Sequence, residues 1–214
     1  VLTVALGHTL RAFSSKSLRV IVVAMIVKSD RKEAILQAML ELVVERGIND
    51  APMSQLSKRS GASPGIIYHY FPSKDEILIQ LYYSIKARML NSLAVHIDSN
   101  MPTREAFLQV WQNAYDFYRS HPNETKFLSQ YENLPCYSQD NKPSTMMEDP
   151  NYLLLANFFK SKKEGGFLKE LPFEILAELT VGVAGRIAKH PNEYPRNVLQ
   201  QVAAICYESV VEQN

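Results

Sequence analysis

Apolar residues recur at helical spacing from residue 30 onward, and the runs break at Gly, Pro or clusters of small polar residues. In the first run Ile35, Leu36, Met39, Leu42 and Val43 share one face. Asp30 with Glu33 approximates a capping box at its start, and Gly47 closes it. Two short runs come next. The first carries Leu56 inward with Lys58 and Arg59 outward, and Gly61 ends it, because Gly takes the left-handed conformation at little steric cost. Ser63 then stands at an N-cap, with Pro64 at the first helical position, where a missing N–H is no loss. The short helix over 64–71 has an apolar face of Ile67, Tyr70 and Phe71 and an opposite face of Gly65, Ile66 and His69.

Ser73 and Glu76 make a second capping box, and the helix from Lys74 continues through Leu78, Leu81, Tyr82, Ile85 and Met89 with no breaker before Pro102. A helix that long must leave the small N-terminal core and link it to the rest of the chain. Thr103 reads as the next N-cap, and Phe107, Trp111, Tyr115 and Tyr118 recur at helical spacing up to His121-Pro122. Another helix passes Phe127 and Tyr131 and ends near Pro135. Residues 136–150 are rich in turn formers and read as a loop, 152–163 as a helix stopped by Gly165-Gly166. Two last helices span about 173–190 and 195–212. The fold class is therefore all-α, an N-terminal three-helix unit joined by a long helix to a C-terminal bundle.

The face of Gly65, Ile66 and His69 is a shallow, nearly uncharged ridge. In a DNA major groove, Gly65 would let the backbone come close, Ile66 would meet a thymine methyl and His69 a base edge or phosphate. Tyr68 offers a hydroxyl to a phosphate, and Lys74 at a helix N-terminus makes a phosphate clamp. An ordinary three-helix packing unit fits the same spacing.

The stretch S-G-A-S-P-G-I-I-Y-H-Y-F-P-S-K-D-E-I-L, from Ser60 to Leu78, resembles the signature of the TetR family of bacterial transcriptional regulators. The chain departs from that pattern at Leu56-Ser57, Ser60 and Ala62, and has Pro52 where a Thr is frequent. Such changes are expected to weaken the cap of the first short helix but to leave the groove-facing pattern intact. The resemblance is specific over about residues 29–89 and implies an all-helical homodimer that binds double-stranded, palindromic operator DNA and a small effector. The contact set it implies is Ser63, Pro64, Gly65, Ile66, Tyr68, His69 and Lys74, within a helix–turn–helix over about 52–71. Arg31 and Lys32 lie beside the DNA backbone in this family, although a solvated charged turn accounts for either residue taken singly. Repression relieved by an apolar or aromatic effector is the default that the resemblance implies. A ligand-binding or interaction module that no longer reads DNA is the main rival.

Charge is distributed unevenly along the 214 residues, whose formal net charge is +1. Residues 1–24 hold Arg11, Lys16 and Arg19 and no acid; 25–89 hold nine basic and seven acidic groups; 90–214 hold eleven and fifteen. A mildly positive first part before an acidic remainder suits a DNA-binding module on an effector domain. No stretch approaches the ~20 apolar residues of a membrane span. The apolar string Val20–Val27 after basic residues has the outline of a signal peptide but no small-residue cleavage site. Met25 is the expected start, with residues 1–28 an extension, non-native or disordered, outside a DNA-binding domain over 29–89 and an effector and dimerisation domain over 90–214. An N-terminal arm that touches DNA is the alternative.

Cys136 and Cys206 lie far apart with no metal spacing and read as reduced thiols of a cytoplasmic protein. His8, His69, His96, His121 and His190 are scattered, and no catalytic motif or cofactor-binding loop is found, so an enzyme is not expected. Phe107, Trp111, Tyr115, Tyr131 and Tyr152 are candidates to line an effector pocket, although aromatic stripes at this spacing are usually core. Ala177, Val181, Ala184, Gly185 and Ala188 form a small-residue stripe. It suits close approach of a helix from a second copy in a four-helix dimer interface, or packing within the chain.

Overall fold

Nothing between Lys16 and Arg46 interrupts a helix, since the stretch contains neither Gly nor Pro, and α1 (Lys16–Arg46) runs straight through Asp30. The helix start expected at Asp30 is therefore absent. A single Asp costs a helix interior only about 0.7 kcal/mol relative to Ala, and cannot end one. The computed structural model describes residues 16–98, 100–134, 148–158, 160 and 166–212. The loop expected at 136–150 lies mostly outside these residues, as does Cys136.

Gly47, at φ 91°, closes α1 with its N–H donated to the Val43 carbonyl at 2.9 Å. Then come α2 (Met53–Ser60), α3 (Pro64–Tyr70) and α4 (Lys74–Leu93). In the first of two compact units, which ends at Leu81 within α4, the core is Ile35, Met39, Leu42 and Val43 of α1 with Leu56, Ile67, Phe71 and Ile77. All are buried, as the 3.6-residue period of their positions demands.

The second unit begins at Tyr82, ahead of the boundary expected near Met89. It holds the rest of α4, α5 (Thr103–Ser120), α6 (Pro122–Tyr131), α7 (Pro150–Phe158) and α9 (Arg196–Val210). Between the last two lies α8, made of Phe173–Ala177, a π-helical turn Glu178–Gly182 and Val183–Ala188. Thr103 is the first residue of α5 and Pro102 its cap position, so Thr103 makes no cap hydrogen bond. His121-Pro122 does separate α5 from α6, with Pro122 in the first turn. The only extended pairing among the described residues is an antiparallel bridge between Leu168 and Val211.

Candidate nucleic-acid interface

The turn between α2 and α3 is built by its own short side chains. Gly61 takes the left-handed conformation at φ 68°. The Ser57 hydroxyl donates to the Ala62 carbonyl at 2.7 Å, and Ser60 Oγ donates to the Leu56 carbonyl at 2.7 Å while accepting the Ala62 N–H at 3.3 Å. Three of the positions that depart from the family pattern thus hold the turn. Pro52 caps α2 with no side-chain hydrogen bond, as its chemistry requires.

Ser63 caps α3, its Oγ accepting the Ile66 N–H at 3.4 Å. Ile67 is fully buried and fixes the helix on the core, with Phe71 just past its end also buried. That anchoring turns the other side outward: Ser63, Pro64, Gly65 and His69 are exposed, Tyr68 is 52 % exposed and Ile66 is half-buried. A Cβ on Gly65 would meet nothing within 4 Å, so the space above its backbone is open. Tyr70 packs edge-on to His69, with ring centroids 5.4 Å apart.

Lys74, the seventh expected contact, is half-buried. Its ammonium donates to the carbonyls of Ile48 at 2.9 Å and Asn49 at 3.2 Å, and Ser73 beside it accepts the Glu76 N–H at 3.1 Å. Arg31 and Lys32 are exposed, and the Lys32 ammonium lies 5.7 Å from the Phe71 ring centroid.

Arg59 is exposed, as expected, and pairs across the surface with α1. It meets both carboxylate oxygens of Glu45, at 2.7 and 2.8 Å, and approaches Glu41 at 3.8 Å. The hydrogen bond from Arg59 holds the Glu45 carboxyl below its ordinary pKa. This fork joins the surfaces of α2 and α1 over the buried Leu56, and as an exposed ion pair it adds little to the packing beneath it.

The aromatic candidates do not form one site. Phe107, Trp111 and Tyr115 lie together in the core of the second unit, each 6 % exposed or less. Tyr131 stacks on Tyr82 at 4.8 Å and on Phe127 at 5.7 Å, while Tyr152 packs beside Leu90, Val110 and Leu155. The small-residue stripe faces inward. Ala184, Gly185 and Ala188 are buried within the chain, and a Cβ on Gly185 would lie 2.9 Å from the Tyr118 ring. Ala177 and Val181 are half-buried. Among the described side chains of α8 and α9, the large apolar ones left exposed are Ile175, Leu179 and, at 64 %, Ile205. Among the described residues no group of His, Cys, Asp or Glu could hold a metal ion, and no helix is long and apolar enough to cross a membrane.

Two family models match this chain. One, described as "Bacterial regulatory proteins, tetR family", covers residues 35–81, and the other, "Tetracyclin repressor-like, C-terminal domain", covers 102–211. An HTH-type transcriptional regulator of Haemophilus influenzae is 29 % identical over 161 residues, 75 % of this chain and 83 % of that protein. The crystal structure of a TetR-family transcriptional regulator from Haemophilus influenzae Rd matches with a TM-score of 0.70 at 26 % identity, covering 87 % of this chain and 99 % of that one. A TetR family regulator from Marinobacter aquaeolei VT8 shares the fold alone, with a TM-score of 0.74 at 15 % identity over 86 % of this chain and 97 % of that one.

Proposed function

The chain belongs to the TetR family of bacterial transcriptional regulators, and from that premise we propose that it binds palindromic operator DNA as a homodimer and represses until a small effector releases it. The observation that carries the DNA reading is the outward face of α3. Gly65 stands there with open space above its backbone, flanked by the exposed Tyr68 and His69. A helix so placed enters a major groove without first clearing side chains away, and its N-terminal positions suit base edges.

In a dimer, two such helices must sit one duplex turn apart, roughly 34–36 Å, to read successive major grooves. An effector changes DNA affinity only by preferring one spacing over another, and operator DNA must then weaken effector binding by the same factor. Phe107, Trp111 and Tyr115 lie together in the core of the second unit, and an effector that bound beside them would be apolar or aromatic. Family membership and the charge balance support a cytoplasmic regulator rather than an enzyme.

The test is binding of the full chain to the DNA upstream of its own coding region, across a salt series, beside a Gly65→Ala variant. Affinity should fall steeply with salt. The added methyl meets nothing in the free protein, so Gly65→Ala should fold normally and lose operator affinity. Absence of binding to that DNA and to a randomised duplex library would establish the rival, a module that does not read DNA.

A further inference from the structure

An open groove of ≈ 510 Å³ lies in the second unit, where the end of α5, the first half of α6 and the turn after α8 meet. Its volume falls in the range of small-molecule sites, ~300–1,000 Å³. Three permanent cations line it, Arg119, Lys126 and Lys189, and no carboxylate does.

The cations are held differently. The Arg119 guanidinium is fixed in the wall: it donates to the carbonyls of Ala188 at 3.3 Å, His190 at 2.7 Å and Pro191 at 3.5 Å. It also lies 3.6 Å from Glu193, whose side chain is 86 % exposed. Arg119 therefore ties the turn after α8 to α5 and shapes the groove. Lys189 gives its ammonium to the Ser129 hydroxyl, which in turn donates to the Thr125 carbonyl at 3.0 Å. A hydroxyl is a neutral partner, and among the described residues no ion pair is formed by Lys189.

The remaining wall is apolar or neutral. Pro122, Ala188 and Pro191 contribute carbon surface. Tyr118 stays a neutral phenol, because burial first, and then the charges of Glu132 and Glu178, push its pKa well above the ordinary range. Of those two acids, Glu132 is engaged by Lys86 at 3.4 Å.

We propose that this groove binds a small organic anion, with its carboxylate or phosphate head met by Lys126 and Lys189 and its apolar body laid along Pro122, Ala188 and Pro191. A point-charge pair of lysines suits a head of either kind, and the apolar wall favours an organic anion over a bare ion. The proposal does not depend on DNA binding, and its test reads the groove alone.

The probes are phenyl phosphate, benzoate and the neutral benzyl alcohol, titrated into the full chain and followed by the backbone amide shifts of residues 123–129 and 188–190. The expected result is saturable shifts with both anions, weakened by salt, and at least ~5-fold weaker in a Lys126→Ala/Lys189→Ala variant. Both lysines are exposed, so folding should be preserved. A Lys189→Glu variant, which changes the groove's charge by the same two units at one position, should weaken both anions to a similar degree. The tighter of the two anions identifies the head group. Equal binding of benzyl alcohol, unchanged affinity in the double variant, or no shifts up to about 10 mM probe would each overturn the proposal.

Discussion

Lys74 donates its ammonium to the carbonyl oxygen of Ile48 at 2.9 Å, binding the first turn of α4 to the loop after α1. The Asn49 carbonyl takes a second N–H of the same group. An ammonium has three donors, so one remains to reach a phosphate while the other two hold the residue in place. If Lys74 meets a phosphate, the expectation tested next, lysine and helix N-terminus would act on it together.

Lys74→Ala should consequently do two things. Loss of two charge-assisted hydrogen bonds at a half-buried site should lower the unfolding free energy by about 1–2 kcal/mol, measured by urea denaturation. Loss of a phosphate contact should weaken binding to all DNA sequences and flatten the log–log salt slope by about one unit. A variant with lower stability but an unchanged salt slope would show that Lys74 serves the fold and touches no phosphate.

The reading head was legible because its signals act within a few residues. Gly61, Ser63 and Pro64 each set the backbone locally, and all three conformations are found as their chemistry dictates. What was hidden depends on pairing over distance. Arg59 finds Glu45 fourteen positions away on another helix, and no spacing rule along one helix reports that. Asp30 carries the residue type of a helix start, yet a cap residue must itself leave helical geometry, and Asp30 lies within the helix. The small-residue stripe on α8 invited a close neighbour, and sequence alone could not tell a partner's helix from Tyr118 of the same chain.

Among the residues whose burial is described, the core of the first unit is built from Ile35 onward. A chain starting at Met25 should therefore fold, dimerise and bind operator as the full chain does, with a reduced helical circular-dichroism signal from the shortened α1. A large fall in thermal midpoint or in operator affinity would show that the N-terminal turns of α1 act on the fold or on DNA.

Gly185 has no room for a side chain, since a Cβ would lie 2.9 Å from Tyr118 Cε2 and 3.1 Å from its Cζ. Tyr118 is itself packed against the second unit's core, so moving its ring aside gives up that contact. Gly185→Ala should cost about 1–3 kcal/mol by overpacking, despite the better helix propensity of Ala. Pairing it with Tyr118→Phe, which keeps the ring, should give no relief, while Tyr118→Leu should recover part of the loss. Wild-type stability in Gly185→Ala would mean that the α5–α8 packing is looser than this contact.

The dimer, if it uses α8 and α9, must use the apolar side chains that the chain leaves uncovered. Ile205 at 64 % and Leu179 at 38 % exposure are the two to test, because neither serves the intrachain core. Leu179→Glu and Ile205→Glu should leave the monomer folded and shift the mass in sedimentation equilibrium toward one chain. Operator affinity should fall with it, since half-sites would bind independently. A full dimer in the double variant would place the interface elsewhere.

Trp111 sets the sharpest test of the second unit's core. Its ring is 1 % exposed and stacks on Tyr115 at 6.3 Å, and its indole nitrogen is buried without an oxygen or nitrogen partner. Beside it is the Cys206 thiol, whose pKa burial raises and contact with Trp111 partly lowers. Sulfur is a weak acceptor, so the N–H loses its hydration for little return. Trp111→Phe removes that poorly satisfied donor along with some apolar area, and the two changes oppose each other. The net cost should stay below about 1.5 kcal/mol, against about 3–5 kcal/mol for Trp111→Ala. Native emission should be blue-shifted and resistant to acrylamide quenching. An effector entering beside Phe107 and Tyr115 should change that emission at the concentrations that release DNA, and a ligand group accepting from the indole N–H would gain what the thiol does not supply. Trp111→Phe should then keep operator binding and lose effector response. Release of DNA with Trp111 emission unmoved, together with a normal response in Trp111→Phe, would make these aromatics core alone.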